Sequence, residues 1–213
     1  MTDEFPDSAG EPPLRADARR NRDQIIGAAK ELFSTDGPEV PMDEIARRAS
    51  VGVGTLYRRF PDRESLIRAV ARDNFGNVLA HAREADAEPT AWDSLVRLLK
   101  SSDELHLSVQ LGMASPRAWE IIKSDQVVQD LRDAVLAELD RVVRAAQSEG
   151  SLRHDVSTGD VAATYSLLLR RHTGAAVAER ALHIMLDGLR ADPGGTRREL
   201  PGDPTPLSGV HPT

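Results

Sequence analysis

The sequence contains no cysteine among its 213 residues. Disulfide scaffolds, thiolate catalysis and zinc sites with cysteine ligands are therefore all excluded. No apolar run reaches the roughly eighteen residues that a membrane-spanning helix needs. The first residues, MTDEFPDSAGEPPL, are acidic and contain adjacent prolines where a signal peptide would have an apolar core. We therefore expect a cytoplasmic protein with no membrane partner.

The sequence also has few aromatic residues and an uneven distribution of charge. Aromatic side chains make up 4% of the residues, so a large stacking pocket for planar polycyclic molecules is not expected. The net charge of −7 argues against a protein that coats nucleic acid indiscriminately. However, residues 15–72 contain 12 basic and 9 acidic side chains, against 15 and 25 in the remainder. This imbalance indicates either a local anion-binding surface or chance clustering of solvated arginines.

Motifs that would indicate an enzyme are missing. The six histidines show no metal-binding spacing, and neither a G-x-S-x-G elbow nor a phosphate-binding glycine loop is present. We predict that the protein is not an enzyme and has no catalytic residues, no metal site and no cofactor.

Proline and glycine delimit the predicted domains. Residues 1–14 are predicted to form a disordered arm, and residues 191–213, with five prolines and four glycines, a disordered tail. Helical spacing of apolar residues predicts an all-α fold between them. We assign residues 15–61 to an N-terminal three-helix domain and residues 62–190 to a C-terminal helical domain.

Three helices are predicted in the N-terminal domain. The first ends at Gly37, the second spans residues 42–49 and the third spans residues 53–60. Asp62 is placed to cap the helix that follows. The last two helices of the domain, joined by a tight turn, describe a helix-turn-helix. The first helix has one apolar stripe, which consists of Ile25, Ile26, Ala29, Leu32 and Phe33.

The C-terminal domain shows four further helical stripes and one ambiguous segment. Residues 105–113 alternate between apolar and polar, which is typical of a strand. A single strand would have no pairing partner in a helical chain, so we predict a short, almost fully buried helix there.

The stretch SVGVGTLYRRF, residues 50–60, has the composition expected of a DNA-recognition helix. Such a helix needs small residues near the base edges and hydrogen-bond donors near the phosphates. Leu56 and Phe60, four residues apart, are predicted to turn into the core. The side chains left to contact DNA are Val53, Gly54, Thr55, Tyr57, Arg58 and Arg59. The alternative interpretation is an ordinary solvated helix face.

Residues 37–66 closely resemble the DNA-binding region of the tetracycline-repressor (TetR) family of bacterial transcription regulators. The resemblance rests on Met42, Ile45, Ala46, Ala49, VGVGTLYRRF, Asp62, Arg63, Glu64 and Leu66. It implies that Thr55, Tyr57 and Arg59 contact the DNA backbone, that Val53 and Gly54 face the bases, and that Arg63 touches a phosphate.

The sequence departs from the family pattern in two places. Ser50 stands where the turn usually has glycine, which predicts a serine in an unfavourable backbone region. Val40-Pro41 replaces the usual Ser/Thr cap of the second helix, and Asp43 is expected to cost that helix a DNA contact. A further hypothesis concerns an N-terminal arm that reaches the minor groove or flanking phosphates, for which an ordinary charged helix turn is the alternative. This arm consists of Arg15, Arg19, Arg20 and Arg22.

The resemblance also implies a protomer of about nine helices. It further implies a homodimer that binds a palindromic operator in double-stranded DNA and releases it when a small-molecule effector binds. The predicted dimer surface is the last two helices, with Tyr165, Leu168, Leu169, Ala181, Ile184 and Met185 as candidates. The predicted effector residues are Trp92, Leu95, Leu99, His106, Met113, Trp119, Tyr165 and His172. The alternative is a helical homodimeric interaction protein with a vestigial DNA-binding surface.

Overall fold

Helices make up most of the computed structural model, which describes residues 13–100, 107, 111, 115–169, 175–192, 194 and 198–207. Within these ranges there are nine α-helices and no β-strand, which confirms the predicted all-α fold. The helices are α1 (Pro13–Asp36), α2 (Met42–Arg48), α3 (Val53–Arg59), α4 (Arg63–Glu84), α5 (Ala91–Lys100), α6 (Pro116–Lys123), α7 (Gln126–Glu149), α8 (Thr158–Leu169) and α9 (Ala175–Leu189). None of the helices described is both long enough and apolar enough to cross a bilayer.

The chain divides into two compact units, one ending at Leu66 and the other beginning at Ile67. We call them the N-terminal unit and the C-terminal unit. The division falls inside α4, slightly later than the boundary expected after residue 61.

The N-terminal unit is built on the apolar faces of α1, α2 and α3. Its helix α1 contacts α2, and α2 contacts α3. The predicted stripe of α1 is buried throughout, and Ile45 and Leu56 are completely inaccessible to solvent. Gly37, which ends α1 as predicted, has a φ angle of +83°, a conformation that glycine adopts without steric cost.

The turn between α2 and α3 is a Schellman motif formed without glycine. The Ser50 amide donates to the Arg47 carbonyl at 3.1 Å, and the Val51 amide donates to the Ala46 carbonyl at 3.0 Å. Ser50 adopts a φ angle of +55°. The prediction of a serine in an unfavourable backbone region is therefore confirmed.

The start of α4 is fixed by reciprocal hydrogen bonds. The Ser65 amide donates to Asp62 Oδ1 at 2.7 Å, and the Asp62 amide donates to Ser65 Oγ at 3.4 Å. Asp62 is thus the N-cap predicted from the sequence.

Four helices of the C-terminal unit, α5, α7, α8 and α9, share one core. Trp92 and Leu95 from α5 pack with Leu139 from α7, Tyr165 from α8 and Leu186 from α9. Tyr165 also donates a hydrogen bond from its hydroxyl to the Leu99 carbonyl at 2.7 Å, so its polar atom is satisfied inside the core.

A buried carboxylate connects α4 to the start of α7. The side chain of Asp125 is 3% exposed and accepts two hydrogen bonds from Arg72, Nε to Oδ1 at 3.1 Å and Nη2 to Oδ2 at 2.7 Å. The same carboxylate caps α7 by accepting the Val128 amide at 3.0 Å. Burial acts to raise the pKa of Asp125. These hydrogen bonds and the charges of Arg72 and Arg68 outweigh it, so the pKa lies below its usual value.

Two expectations concern segments that the structure describes only in part. Of residues 105–113, Leu107 and Leu111 are described; both are helical and buried, in line with the buried helix preferred over a strand. The tail was expected to be disordered from residue 191 onward. Residues 198–207 instead hydrogen-bond to other residues of the C-terminal unit. Two of their backbone amides donate to Asp155 and Asp160, before and within the first turn of α8.

Candidate nucleic-acid interface

Helix α3 separates a buried anchor from an exposed face. Leu56 is fully buried and Phe60, directly after the helix, is 4% exposed, as predicted. Tyr57, in contrast, is 47% exposed and Val53 is 45% exposed. Large apolar and aromatic side chains left in solvent on an otherwise anchored helix indicate a contact surface.

The other predicted contact residues of α3 lie on or beside this exposed face. Gly54, Arg58 and Arg59 are exposed, and Thr55 is half-buried. Arg58 Nη2 donates to Thr55 Oγ1 at 3.0 Å, one helical turn away. We call Val53, Gly54, Thr55, Tyr57, Arg58 and Arg59 the α3 contact face. It offers hydroxyl and guanidinium donors within two turns, beside a glycine that lets a backbone approach closely.

Arg63 occupies a different environment from the arginines of α3. It is half-buried, and its Nη1 donates to the Pro38 carbonyl at 2.5 Å and the Val40 carbonyl at 2.6 Å. These contacts join the start of α4 to the loop between α1 and α2. Arg63 therefore has a structural role in addition to the phosphate contact expected of it.

Acidic residues and the N-terminal arm complete the charge distribution of the N-terminal unit. Asp43 is exposed in the first turn of α2, and Glu44 is paired with Arg47 at 2.5 Å. In α1, Arg20 lies 3.6 Å from Asp17 and Arg22 lies 3.7 Å from Asp23. Arg19 is exposed, whereas the side chain of Arg15 lies outside the described residues.

Comparison with known proteins agrees with the interpretation of the α3 contact face as a DNA-binding surface. Residues 25–70 match the family of bacterial regulatory proteins described as the tetR family. Residues 93–191 match the C-terminal domain of SbtR-like transcriptional regulators. The crystal structure of the TetR transcription regulatory protein from Mycobacterium vanbaalenii is 35% identical, with a TM-score of 0.63. The match covers 84% of this chain and 100% of that one.

The chain belongs to the TetR family. It is a DNA-binding transcriptional regulator by this membership. A TetR regulator from Streptomyces coelicolor is also similar, at 30% identity and a TM-score of 0.64, over 80% of this chain and 98% of its own. A helix-turn-helix regulator from Staphylococcus aureus is 35% identical over 72 residues. That match takes in 33% of this chain, which spans 39% of the length of the curated relative.

Most of the predicted effector-pocket residues that the structure describes are part of the core. Trp92, Leu95, Leu99 and Tyr165 are buried and packed in one cluster, and Trp119 is half-buried on α6. His106, Met113 and His172 lie outside the described residues. A cleft of about 170 Å³ beside α5 contains none of the predicted residues; it is lined by Asp86, Glu88, Pro89, Thr90, Ala91, Ser94, Arg141, Val142 and Ala145.

The residues predicted for a dimer surface divide between the core and the solvent. Tyr165, Leu169 and Met185 are buried in the C-terminal unit, and Leu168 and Ala181 are half-buried. Ile184, in contrast, is 64% exposed. The structure adds two exposed apolar residues on the same two helices, Leu167 at 62% and Val177 at 57%. The run Leu167-Leu168-Leu169 could have indicated an exposed leucine from the sequence alone, because three consecutive leucines on a helix must cover more than one face.

No group of three or more histidine, aspartate or glutamate side chains suited to a metal ion occurs within the described part of the chain. Asp155 is paired instead with Arg153 at 2.6 Å.

Proposed function

We propose that this regulator is a cytoplasmic homodimeric repressor that binds a palindromic operator and is released by a small-molecule effector. The observation that carries the proposal is the α3 contact face, where Tyr57 and Arg59 stand in solvent beside the buried Leu56. In this proposal the protein acts by binding DNA rather than by catalysis. It acts in the cytoplasm, where it can reach that DNA.

In the proposed complex α3 lies in the major groove. Val53 and Gly54 approach the base edges, while Thr55, Tyr57 and Arg59 donate to the sugar-phosphate strands. Arg58 adds positive charge at the rim, once its hydrogen bond to Thr55 is exchanged for a phosphate. Arg63 contributes a phosphate contact from the start of α4, and the exposed arginines of α1 supply a weaker one to flanking DNA.

The deciding experiment compares the wild-type protein with the double variant Tyr57→Ala/Arg59→Ala. Genomic fragments selected by the wild-type protein serve as the probe, and binding is followed by fluorescence anisotropy over a range of salt concentrations. We expect the affinity to fall at least about tenfold. The slope of log K against log salt should fall by about 2 per dimer, since each protomer loses one cationic contact.

The control is Arg144→Ala, which removes an exposed arginine from α7, far along the chain from the helix-turn-helix. It should leave the affinity unchanged. If the double variant also binds as tightly as the wild-type protein, the α3 contact face does not read DNA. The helical interaction protein with a vestigial DNA surface is then the better description.

The proposed homodimer forms through α8 and α9. Because one recognition helix reads few bases, useful specificity requires two half-sites and hence two protomers. The exposed side chains of Ile184, Leu167 and Val177 support this choice of surface. Ile184→Lys should shift the protein towards monomer in sedimentation velocity. Val127→Lys makes the same change at an exposed apolar position of α7 and should not.

The proposed effector binds in the C-terminal unit and lowers DNA affinity. By linkage, DNA must then lower the affinity for the effector by the same factor. Trp92, Leu95, Leu99 and Tyr165 touch one another in the core, so an effector that reaches them must separate packed side chains. A compound that raises the melting temperature and weakens DNA binding reciprocally would identify the effector class.

A further inference from the structure

The C-terminal segment, residues 198–207, makes a set of polar contacts with the loop before α8 and the first turn of that helix. The Leu200 amide donates to Asp155 Oδ2 at 2.8 Å, and the Thr205 amide donates to Asp160 Oδ1 at 2.9 Å. In return, Ser157 Oγ donates to the Thr205 carbonyl at 2.7 Å. The segment is therefore held at two separate points by its backbone.

The composition of the segment suits this arrangement. Its sequence, RELPGDPTPL, contains three prolines, which carry no amide hydrogen and restrict the unfolded chain. Two of the remaining amides, those of Leu200 and Thr205, are the ones that donate to aspartates. Both carboxylates have a lowered pKa. Hydrogen bonds from Arg153 and the Leu200 amide lower that of Asp155, and for Asp160 bonds from Thr205 and Ser157 outweigh the effect of burial.

A glycine in α8 makes room for the segment. A β-carbon at Gly159 would lie 2.0 Å from the Thr205 carbonyl oxygen and 2.8 Å from its carbonyl carbon. Both atoms belong to the backbone, so no side-chain rotation relieves the clash. Any residue other than glycine at this position must therefore displace the segment or the start of the helix.

Arg153 connects the same loop to the end of α9. Its backbone amide donates to the Leu189 carbonyl at 3.1 Å, and its Nη1 donates to the Gly188 carbonyl at 3.4 Å. The guanidinium also binds Asp155 in a bidentate pair and donates to the Arg198 carbonyl at 3.2 Å. One side chain thus ties together the loop before α8, the end of α9 and the C-terminal segment.

We propose that the start of α8 is a docking surface for the chain's own residues 198–207, and that the docked segment latches the end of α9 to the start of α8. Gly159 is the residue that admits the segment. Because α8 and α9 form the proposed dimer surface, the latch also holds that surface in shape; this consequence rests on the proposed function.

The test uses the full chain with Gly159→Ala. Alanine is favoured over glycine in a helix, and the three atoms nearest to the added β-carbon belong to Thr205 and Pro206, so the substitution is directed at the contact with the segment. We expect amide exchange at Leu200 and Thr205 to become at least about tenfold faster, since undocking breaks both hydrogen bonds. The control Gly76→Ala lies within α4, where an added β-carbon meets nothing within 4 Å, and should leave both rates unchanged.

A second variant approaches the same contact from the other side. Pro204→Gly/Pro206→Gly leaves α8 intact but makes the free segment more flexible, so exchange at Leu200 and Thr205 should again become faster. Wild-type amides that exchange at the rate of an unstructured peptide, or unchanged rates in Gly159→Ala, would overturn the latch.

Sedimentation of the same samples separates the latch from the proposed dimer. If the latch shapes the dimer surface, Gly159→Ala should weaken dimerisation at least about threefold while Gly76→Ala does not. A monomeric wild-type protein with slow exchange at Leu200 and Thr205 would contradict the dimer and support docking. A dimer with unprotected amides would do the reverse.

Discussion

The two units of this regulator differ in how directly their sequence specifies their chemistry. In the N-terminal unit, eleven consecutive residues, 50–60, contain the turn, the anchor and the contact face. In the C-terminal unit, residues predicted to contact an effector, such as Trp92 and Tyr165, are packed into the core. The polar contacts that organise it join distant positions, such as Arg72 and Asp125. A short motif can therefore identify a site only where the site is local.

The largest effect on stability is expected when the buried anchor of α3, Leu56, is substituted separately from the exposed contact face. Leu56→Ala removes a fully buried side chain and should lower the free energy of unfolding by about 3 kcal/mol. Tyr57→Ala, one residue on, should change it by less than about 0.5 kcal/mol because the ring is half in solvent. Urea denaturation measures both. Equal losses from the two substitutions would mean that α3 has no distinct contact face.

An intermediate effect is expected for the long-range pair in the C-terminal unit. Arg72→Ala leaves the Asp125 carboxylate buried without its bidentate partner and should cost about 2 kcal/mol of stability. The pKa of Asp125 is lowered on folding. Its contribution is therefore complete above about pH 4 and is lost as the pH falls through the folded pKa.

The acid dependence of that pair has its own measurement. Asp125→Asn should flatten the fall in stability below about pH 4 in urea titrations at successive pH values. Asp133→Asn, at an exposed position of the same helix, should keep the wild-type slope. A flattened slope in the control, or an unchanged one in Asp125→Asn, would remove this pair from the forces that hold α4 to α7.

The smallest effect should be a gain in stability. Ser50 has a left-handed backbone conformation, which glycine adopts without steric cost. Ser50→Gly should therefore stabilise the protein by about 1 kcal/mol. The two hydrogen bonds of the turn involve only backbone atoms and are retained. Thermal unfolding measures the gain. A loss of stability would show that the serine side chain, rather than the backbone alone, maintains the turn.

Sequence periodicity and capping rules accounted for most of the fold. The bounds of α2 and α3, the N-cap Asp62 and the buried pair Leu56 and Phe60 follow from residues within one or two helical turns of each other. Ser50 is a particular case, because its departure from the family pattern predicted the unusual backbone angle that the structure shows.

Prediction from the sequence failed where the role of a side chain depends on contacts with residues distant in the chain. Tyr165 was assigned to both a pocket and a dimer surface, but its hydroxyl donates to Leu99, a residue of a different helix. Arg63 was expected only at a phosphate, yet two carbonyls from the preceding loop accept its Nη1. The docked residues 198–207 were expected to be disordered because proline and glycine exclude a helix. Proline and glycine do not exclude an extended segment whose few backbone amides donate hydrogen bonds to carboxylates.

The stacking of Arg190 on Trp92 has a practical consequence. The guanidinium carbon lies 4.4 Å from the centroid of the indole ring, and Arg190 pairs through its backbone with Leu152, next to Arg153. The protein has two tryptophans, so replacing Trp119 with phenylalanine would leave Trp92 as the single tryptophan. Selective excitation of that indole then reports on the end of the last helix, because its emission changes when Arg190 moves away from the ring.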